Sequence, residues 1–353
     1  MSAAQGGVTF SGDFAVCYRV NLESRIASRV FWRVYHGSYR DEEGIYASVY
    51  ALPWSDWFSE QETIKVKVSA QHCPLKSLDF VTLRIKDAIC DKFKVRTQRR
   101  PSVNTHQPSM RIDAFLRHQE LTLYLDTSGE PLFKRGLRKS SGEAPMRENL
   151  AAGIIGLSGW VPGQPFLDPM CGSGTLLMEA AQIARNISPG LGRRFAFENL
   201  RNFDAKVWRA LCDTSRAGQT PSKPLEIDGY DRDGIAIKAA EANLRAAGFA
   251  EVVRLKQADV LEVWPPAAEG VLVMNPPYGE RVGNEAELAA LYPRLGDALK
   301  QRFAGWRAYI LTADLRLPKL IGLAASRRTP LFNGPLECRL FEFKMVQGSN
   351  RHG

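Results

Sequence analysis

Two stretches of this 353-residue chain combine residue types and spacings that could do chemistry. The first, F-L-D-P-M-C-G-S-G-T at 166–175, is a short apolar run ending in Asp168. Pro169, Cys171, Gly172, Ser173, Gly174 and Thr175 follow, and then an apolar-periodic helix. Strand, small-residue turn and helix start form the layout of a nucleotide-type pocket: glycines let the backbone come close to a ligand, and the first helical amides point outward as donors. No Lys follows the last glycine and a carboxylate at the strand end repels phosphate, which excludes a triphosphate-binding loop. An acid there suits a cation or a hydroxyl-rich ligand. A glycine turn that merely joins strand to helix is the plain alternative for this stretch alone.

The second stretch, V-L-V-M-N-P-P-Y-G-E-R at 271–281, drives a buried-type strand into Asn275-Pro276-Pro277-Tyr278. Two prolines remove donors and stiffen the turn, leaving the Asn275 side-chain carbonyl and the Pro276 carbonyl to accept hydrogen bonds. An exocyclic amino group has two N–H donors and needs two such acceptors, and Tyr278 can stack on the base that bears it. By itself the tetrapeptide is equally a rigid polar turn. Its meaning comes from standing at a strand end about a hundred residues behind the glycine loop.

These residues resemble class I S-adenosylmethionine-dependent methyltransferases of the group that methylates amines, marked by (Asn/Asp)-Pro-Pro-aromatic. The resemblance implies that Asp168 and the loop 169–175 hold the methionine part of the cofactor. It matches Asp231, at the end of I-D-G-Y-D with Arg232 behind it, to the acid that holds the ribose hydroxyls, and Asp259 to the acid at the adenine amine. Asn275 to Tyr278 would hold the target amine, with Asn275 also close to the cofactor. The cofactor implied is S-adenosylmethionine.

Ahead of this, residues 8–127 read as an α+β unit. Strands are expected at 8–10, 63–70, 110–115 and 120–125, where T-I-K-V-K-V-S-A and E-L-T-L-Y-L alternate with period two, and helices at 21–35 and 77–93. In the first helix Arg25, Arg29 and Arg33 would form a basic stripe. The second leads into the densest basic run of the chain, with Lys86, Lys92, Lys94, Arg96, Arg99 and Arg100 opposed only by Asp87 and Asp91. Residues 1–140 hold 21 Lys and Arg against 15 Asp and Glu, so the N-terminal part carries most of the formal charge of +9. Basic excess is expected where a protein meets phosphates, and it is also common on plain solvated faces.

The basic run, together with L-D-T-S-G-E-P-L-F-K-R-G at 125–136, resembles the THUMP domain, an RNA-binding module found ahead of methyltransferase domains. The whole chain is similar to THUMP-domain RNA guanine-N2 methyltransferases acting on 23S ribosomal RNA. That resemblance implies RNA as partner and puts Lys134 and Arg135 near the pocket mouth. Such proteins carry a further ferredoxin-like segment first, and this chain begins close to where the THUMP core is expected, at 8, so a truncated start or a shorter relative is expected. Transfer to guanine in transfer RNA, transfer to adenine N6, and a non-catalytic RNA-binding protein are the other readings.

The expected organisation is THUMP at 8–127, a linker at 128–147 rich in turn formers, and a methyltransferase domain at 148–346. From Phe166 strands and helices alternate, which predicts a Rossmann-like α/β fold: a mostly parallel seven-stranded sheet, ended by an antiparallel hairpin around Asn333-Gly334. Ligands then bind at the carboxyl ends of the strands, where Asp168, Asp231, Asp259 and Asn275 all fall. Residues 189–225 read as an insertion beside the pocket.

Six cysteines without a Cys-x-x-Cys pair, and scattered histidines, predict neither a disulfide framework nor a metal site. Cys171 reads as a small loop residue rather than a nucleophile. No apolar run reaches membrane-spanning length and no basic-then-apolar leader opens the chain, so a cytoplasmic protein is expected.

Overall fold

A computed structural model describes residues 1–4, 6–136, 146–221, 223–276 and 285–346, the last segment as backbone only over 285–288. The chain divides into two compact units: Met1–Lys134 with Pro189–Ser215, and Arg135–Ser188 with Arg216–Gly353.

The first unit contains β1 (Ser2–Ala4), β2 (Gly7–Thr9), α1 (Phe14–Glu23), β3 (Phe31–Ser38), α2 (Glu42–Ala51), α3 (Trp54–Trp57), β4 (Ile64–Gln71), α4 (Leu78–Thr97), β5 (Met110–Arg117) and β6 (Glu120–Asp126). Four strands form one sheet in the order β3-β6-β5-β4. β4 and β5 run parallel, Ile64 opposite Met110 through Gln71 opposite Arg117, with α4 between them in sequence as the crossover. Ile112, Ala114, Leu116, Leu121, Leu123 and Leu125 point into one core with Val81, Ile85, Ile89 and Phe93 of α4, so one face of the sheet is covered by helices.

A helix expected at 21–35 is absent. α1 ends at Glu23, and F-W-R-V-Y-H enters β3 because aromatic and β-branched residues pack better on a half-buried pleat than around a helix. The arginine stripe therefore does not exist: Arg29 pairs with the buried Asp126, and Arg33 lies on the sheet. Of the expected insertion at 189–225, the part Pro189–Ser215 belongs to this unit. Phe195, Phe197 and Leu200 complete the aromatic core around Tyr18, and a Cβ on Gly190 would stand 2.7 Å from the Leu22 backbone.

The second unit comprises α5 (Glu148–Ser158), β7 (Phe166–Asp168), α6 (Thr175–Ala184) and, after α7 (Ala205–Ala217), β8 (Ile227–Asp231), α8 (Gly234–Ala246), β9 (Arg254–Gln257), β10 (Gly270–Met274), α9 (Glu285–Arg302), β11 (Trp306–Thr312), α10 (Leu317–Leu320), β12 (Arg327–Asn333) and β13 (Leu336–Lys344). Its seven strands run in the order β12-β13-β11-β10-β7-β8-β9, parallel except for β13, which is antiparallel to β11 and to β12. β7 and β10 are buried along their whole length, the mark of central parallel strands covered on both faces. The hairpin turns at Asn333-Gly334 as expected, with Gly334 at φ 67°.

Candidate active site

The middle of the sheet brings the expected residues to one edge. β10, β7, β8 and β9 are neighbours, so Asn275, Asp168, Asp231 and Asp259 leave the sheet side by side at its carboxyl ends.

The loop after β7 is held by backbone groups. The Cys171 amide donates to the Tyr230 carbonyl at 2.8 Å, and the Gly172 amide donates to Asp231 Oδ2 at 2.9 Å. Gly172 and Gly174 take φ of 53° and 81°, which a side-chain-bearing residue adopts only with strain. At Gly174 a Cβ would also press on Ala240 at 3.2 Å, whereas Gly172 faces open space. No side chain caps α6, whose N-cap is Gly174, while α8 is capped by Asp233, which accepts from the Ile235 amide. The start of α6 is thus left to a ligand.

The acids differ in setting. Asp168 is buried beneath the loop, where Oδ1 accepts from the Met170 amide at 3.2 Å. Burial pushes its carboxyl well above the ordinary range, the Met170 bond opposes this, and the nearby Asp231 adds to it. Asp231 is half-exposed and accepts from Gly172 and, through Oδ1, from the Asp233 amide at 3.0 Å. Asp259 accepts from the Leu261 amide at 2.8 Å. Pro169 and Thr175 are buried, Ser173 is half-buried, and Arg232 is exposed, its carbonyl accepting from Gln257. Cys171 is buried, and burial raises its thiol far above the usual range, so it is no nucleophile.

Asn275 follows β10. Its Oδ1 is buried and, among the described residues, accepts no hydrogen bond. Such an acceptor costs free energy unless something fills it. Pro276 is buried beside it; Pro277 and Tyr278 lie outside the described residues, as do Ala144 and Pro145 of the linker.

Sequence reasoning missed Asn243, wholly buried on α8, whose Nδ2 donates to the Ser173 carbonyl at 3.0 Å and fixes the loop from below. One amide among the apolar Ile237, Ala240 and Leu244 was the available signal. It also misplaced Arg135. This residue is buried and paired with Glu179 of α6, so it holds the second unit together and offers no charge to RNA.

The basic run of α4 is largely neutralised. Lys86 pairs with Asp87 at 2.6 Å, Arg96 with Asp56 at 3.4 Å and Arg100 with Asp91, while Lys92 stands 5.1 Å from the centre of the Tyr50 ring. Lys134 is exposed and pairs with Glu130 at 2.6 Å. Lys94 and Arg99 are exposed.

The methyltransferase domain described as RMKL-like matches residues 135–342, a span that includes the glycine loop, all three acids and Asn275. The chain belongs to this family. A THUMP domain matches residues 39–126, and the ferredoxin-like domain named for RlmL matches residues 1–31 ahead of it, which corrects the expectation of a THUMP core starting at 8 with no such segment before it. The RNA methyltransferase slr0064, so named, of Synechocystis is 37% identical over 96% of this chain and 88% of its own length. The ribosomal RNA large subunit methyltransferase K/L of Shewanella frigidimarina is 38% identical over 98% of this chain, which spans only 49% of that protein. Among solved structures, SMU.472, described as a methyltransferase and complexed with SAH, superposes with a TM-score of 0.85 at 33% identity, covering 95% of this chain and 89% of that one. A Listeria monocytogenes protein described as an N6-adenine-specific DNA methylase superposes with the same TM-score at 30% identity, over 95% and 87%. Among the described residues no group of side chains could hold a metal ion, and no helix is long and apolar enough to cross a membrane.

Proposed function

We propose that this protein transfers a methyl group from S-adenosylmethionine to the exocyclic N2 of a guanine in RNA, with large-subunit ribosomal RNA as substrate, in the cytoplasm. The observation that carries the reading is the buried Oδ1 of Asn275, without a hydrogen bond among the described residues, at the end of the strand next to the glycine loop.

The residues fit the cofactor. Asp231 spends one lone pair per oxygen on backbone amides, which leaves acceptors for a ribose diol, and the open space at Gly172 and the uncapped start of α6 admit the amino-acid part. The absence of a basic side chain in the loop sequence agrees with a ligand that has no phosphate. When bound, the cofactor supplies a methyl carbon on a sulfonium, open to in-line displacement.

The work left to the protein is positioning. Asn275 Oδ1 and the Pro276 carbonyl accept the two N–H groups of the amine, which aims the nitrogen lone pair along the line of displacement and draws it out of conjugation with the ring. Positive charge grows on that nitrogen as the C–N bond forms, and two carbonyl dipoles directed at it stabilise the charge in a dry site. The surplus proton then leaves to solvent without a dedicated base.

The names of the similar proteins divide between RNA and adenine in DNA, so the product decides. Labelled methyl transfer to unmodified 23S ribosomal RNA and to transfer RNA, followed by nucleoside analysis, should give N2-methylguanosine in the ribosomal RNA alone. N6-methyladenosine, or label in transfer RNA only, would overturn the acceptor or the substrate respectively.

A further inference from the structure

The four-stranded sheet of the first unit has a second face that the core does not use. Residues alternating with the buried Ile112, Ala114, Leu123 and Leu125 point away from α2 and α4. The register sets them in rows. Lys67 stands opposite Asp113, Asp113 opposite Tyr124 and Tyr124 opposite Arg33, so one row crosses all four strands. Beside it lie Lys65 opposite Arg111 on one side and Ser69 opposite Phe115 on the other. Phe31 is exposed at 41% and packs on Tyr124 with ring centres 5.7 Å apart.

The charges here differ from those on α4. Among the described residues Arg33, Lys67 and Arg111 pair with no carboxylate, and Arg33 and Lys67 are exposed. Asp113, in the middle of the row, keeps one carboxylate oxygen buried and, among the described residues, without a hydrogen bond. Burial pushes its carboxyl up, and Arg111, Lys67, Arg29 and Lys65 pull it down. Unpaired cations attract a phosphate chain, and aromatic rings on a sheet are platforms for bases.

We propose that this open sheet face, and not the basic helix α4, is where the N-terminal unit holds RNA, and that it takes an unpaired strand rather than a duplex. A continuous duplex offers phosphates to the cations but no base face to Phe31 and Tyr124. The inference rests on the reading of the protein as an RNA methyltransferase and names the surface that reading requires.

The test uses the full chain and two fluorescent RNAs of equal length, one single-stranded and one duplex, titrated by anisotropy at several salt concentrations. The triple variant Arg33→Glu, Lys67→Glu, Arg111→Glu should lose at least about tenfold in affinity for the single strand, and its salt slope should fall by about two. The pair Lys94→Glu on α4 and Arg99→Glu just past its end should stay within about threefold of wild type. Phe31→Leu should weaken single-strand binding several-fold and leave duplex binding unchanged. Should the triple variant fail to fold, Arg33→Ala and Lys67→Ala, both at exposed positions, should each still weaken single-strand binding measurably. A triple variant, or in its place both single variants, that binds like wild type, or an α4 pair that loses more, overturns the proposal. Wild-type transfer is measured in parallel. If the triple variant loses RNA while wild type moves no methyl group, the reaction falls and the surface stands; if wild type methylates and the triple variant binds normally, the surface falls alone.

Discussion

The glycine loop after β7 and the basic helix α4 hold their charges in opposite ways. At the loop, the Asp231 carboxylate is bonded to backbone amides, which fix it without cancelling it. On α4 and just past its end, four of the six bases of the run are already engaged, three by carboxylates and one by a tyrosine ring. Counting charges would rank α4 as the stronger binding surface. Asking what neutralises each charge reverses the order, and turns attention to the sheet, where Arg33, Lys67 and Arg111 stand among aromatics.

The same question separates structural ion pairs from incidental ones. Glu179→Ala would leave Arg135 buried beside a lost partner, and should cost about 3–5 kcal/mol in thermal or denaturant unfolding. Asp56→Ala removes the exposed partner of Arg96 and should cost less than about 1 kcal/mol. Equal losses for the two would break the comparison.

At the loop itself, Asp231→Ala removes the acceptor of two backbone amides and, on the proposed reading, of the ribose. Cofactor affinity measured by calorimetry should fall about 10- to 100-fold, the loss expected for hydrogen bonds to a charged group. A fall of less than twofold would mean the loop is shaped by something else.

A smaller effect distinguishes Asp168 from Asp231. Because burial raises the Asp168 carboxyl in the folded state, the native protein binds that proton more tightly than the unfolded chain does. Stability should therefore decline as pH rises from the ordinary carboxylate range through the raised folded-state value, and level off above it. Asp168→Asn should flatten that part of the melting-temperature profile, and an unchanged profile would show the carboxyl to be ordinary.

The second unit was legible because its signals are local and obligatory. A strand that ends in Asp168 and turns through Gly172 and Gly174 has few other ways to fold, and β7 and β8 match their expected limits residue for residue. The first unit was less so. Arg25, Arg29 and Arg33 satisfy a helical spacing by coincidence, and only the partner strand β6 decides that Phe31–Ser38 is a strand. Phe195 and Phe197 reach the core of the first unit from far along the chain, which no local pattern announces. Arg135 looked like a linker base because its partner Glu179 lies forty-four residues away. Asn275 was legible as a candidate acceptor because Pro276 and Pro277 after it bring no donor of their own, and among the described residues its Oδ1 accepts no hydrogen bond.

Single-turnover methyl transfer by Asn275→Ala at saturating S-adenosylmethionine and RNA tests the proposed role of Asn275 most directly. Transfer should slow by about two to three orders of magnitude, the scale for removing one group directed at developing charge, while cofactor affinity stays near wild type. Transfer at the wild-type rate would show that Asn275 does not hold the amine.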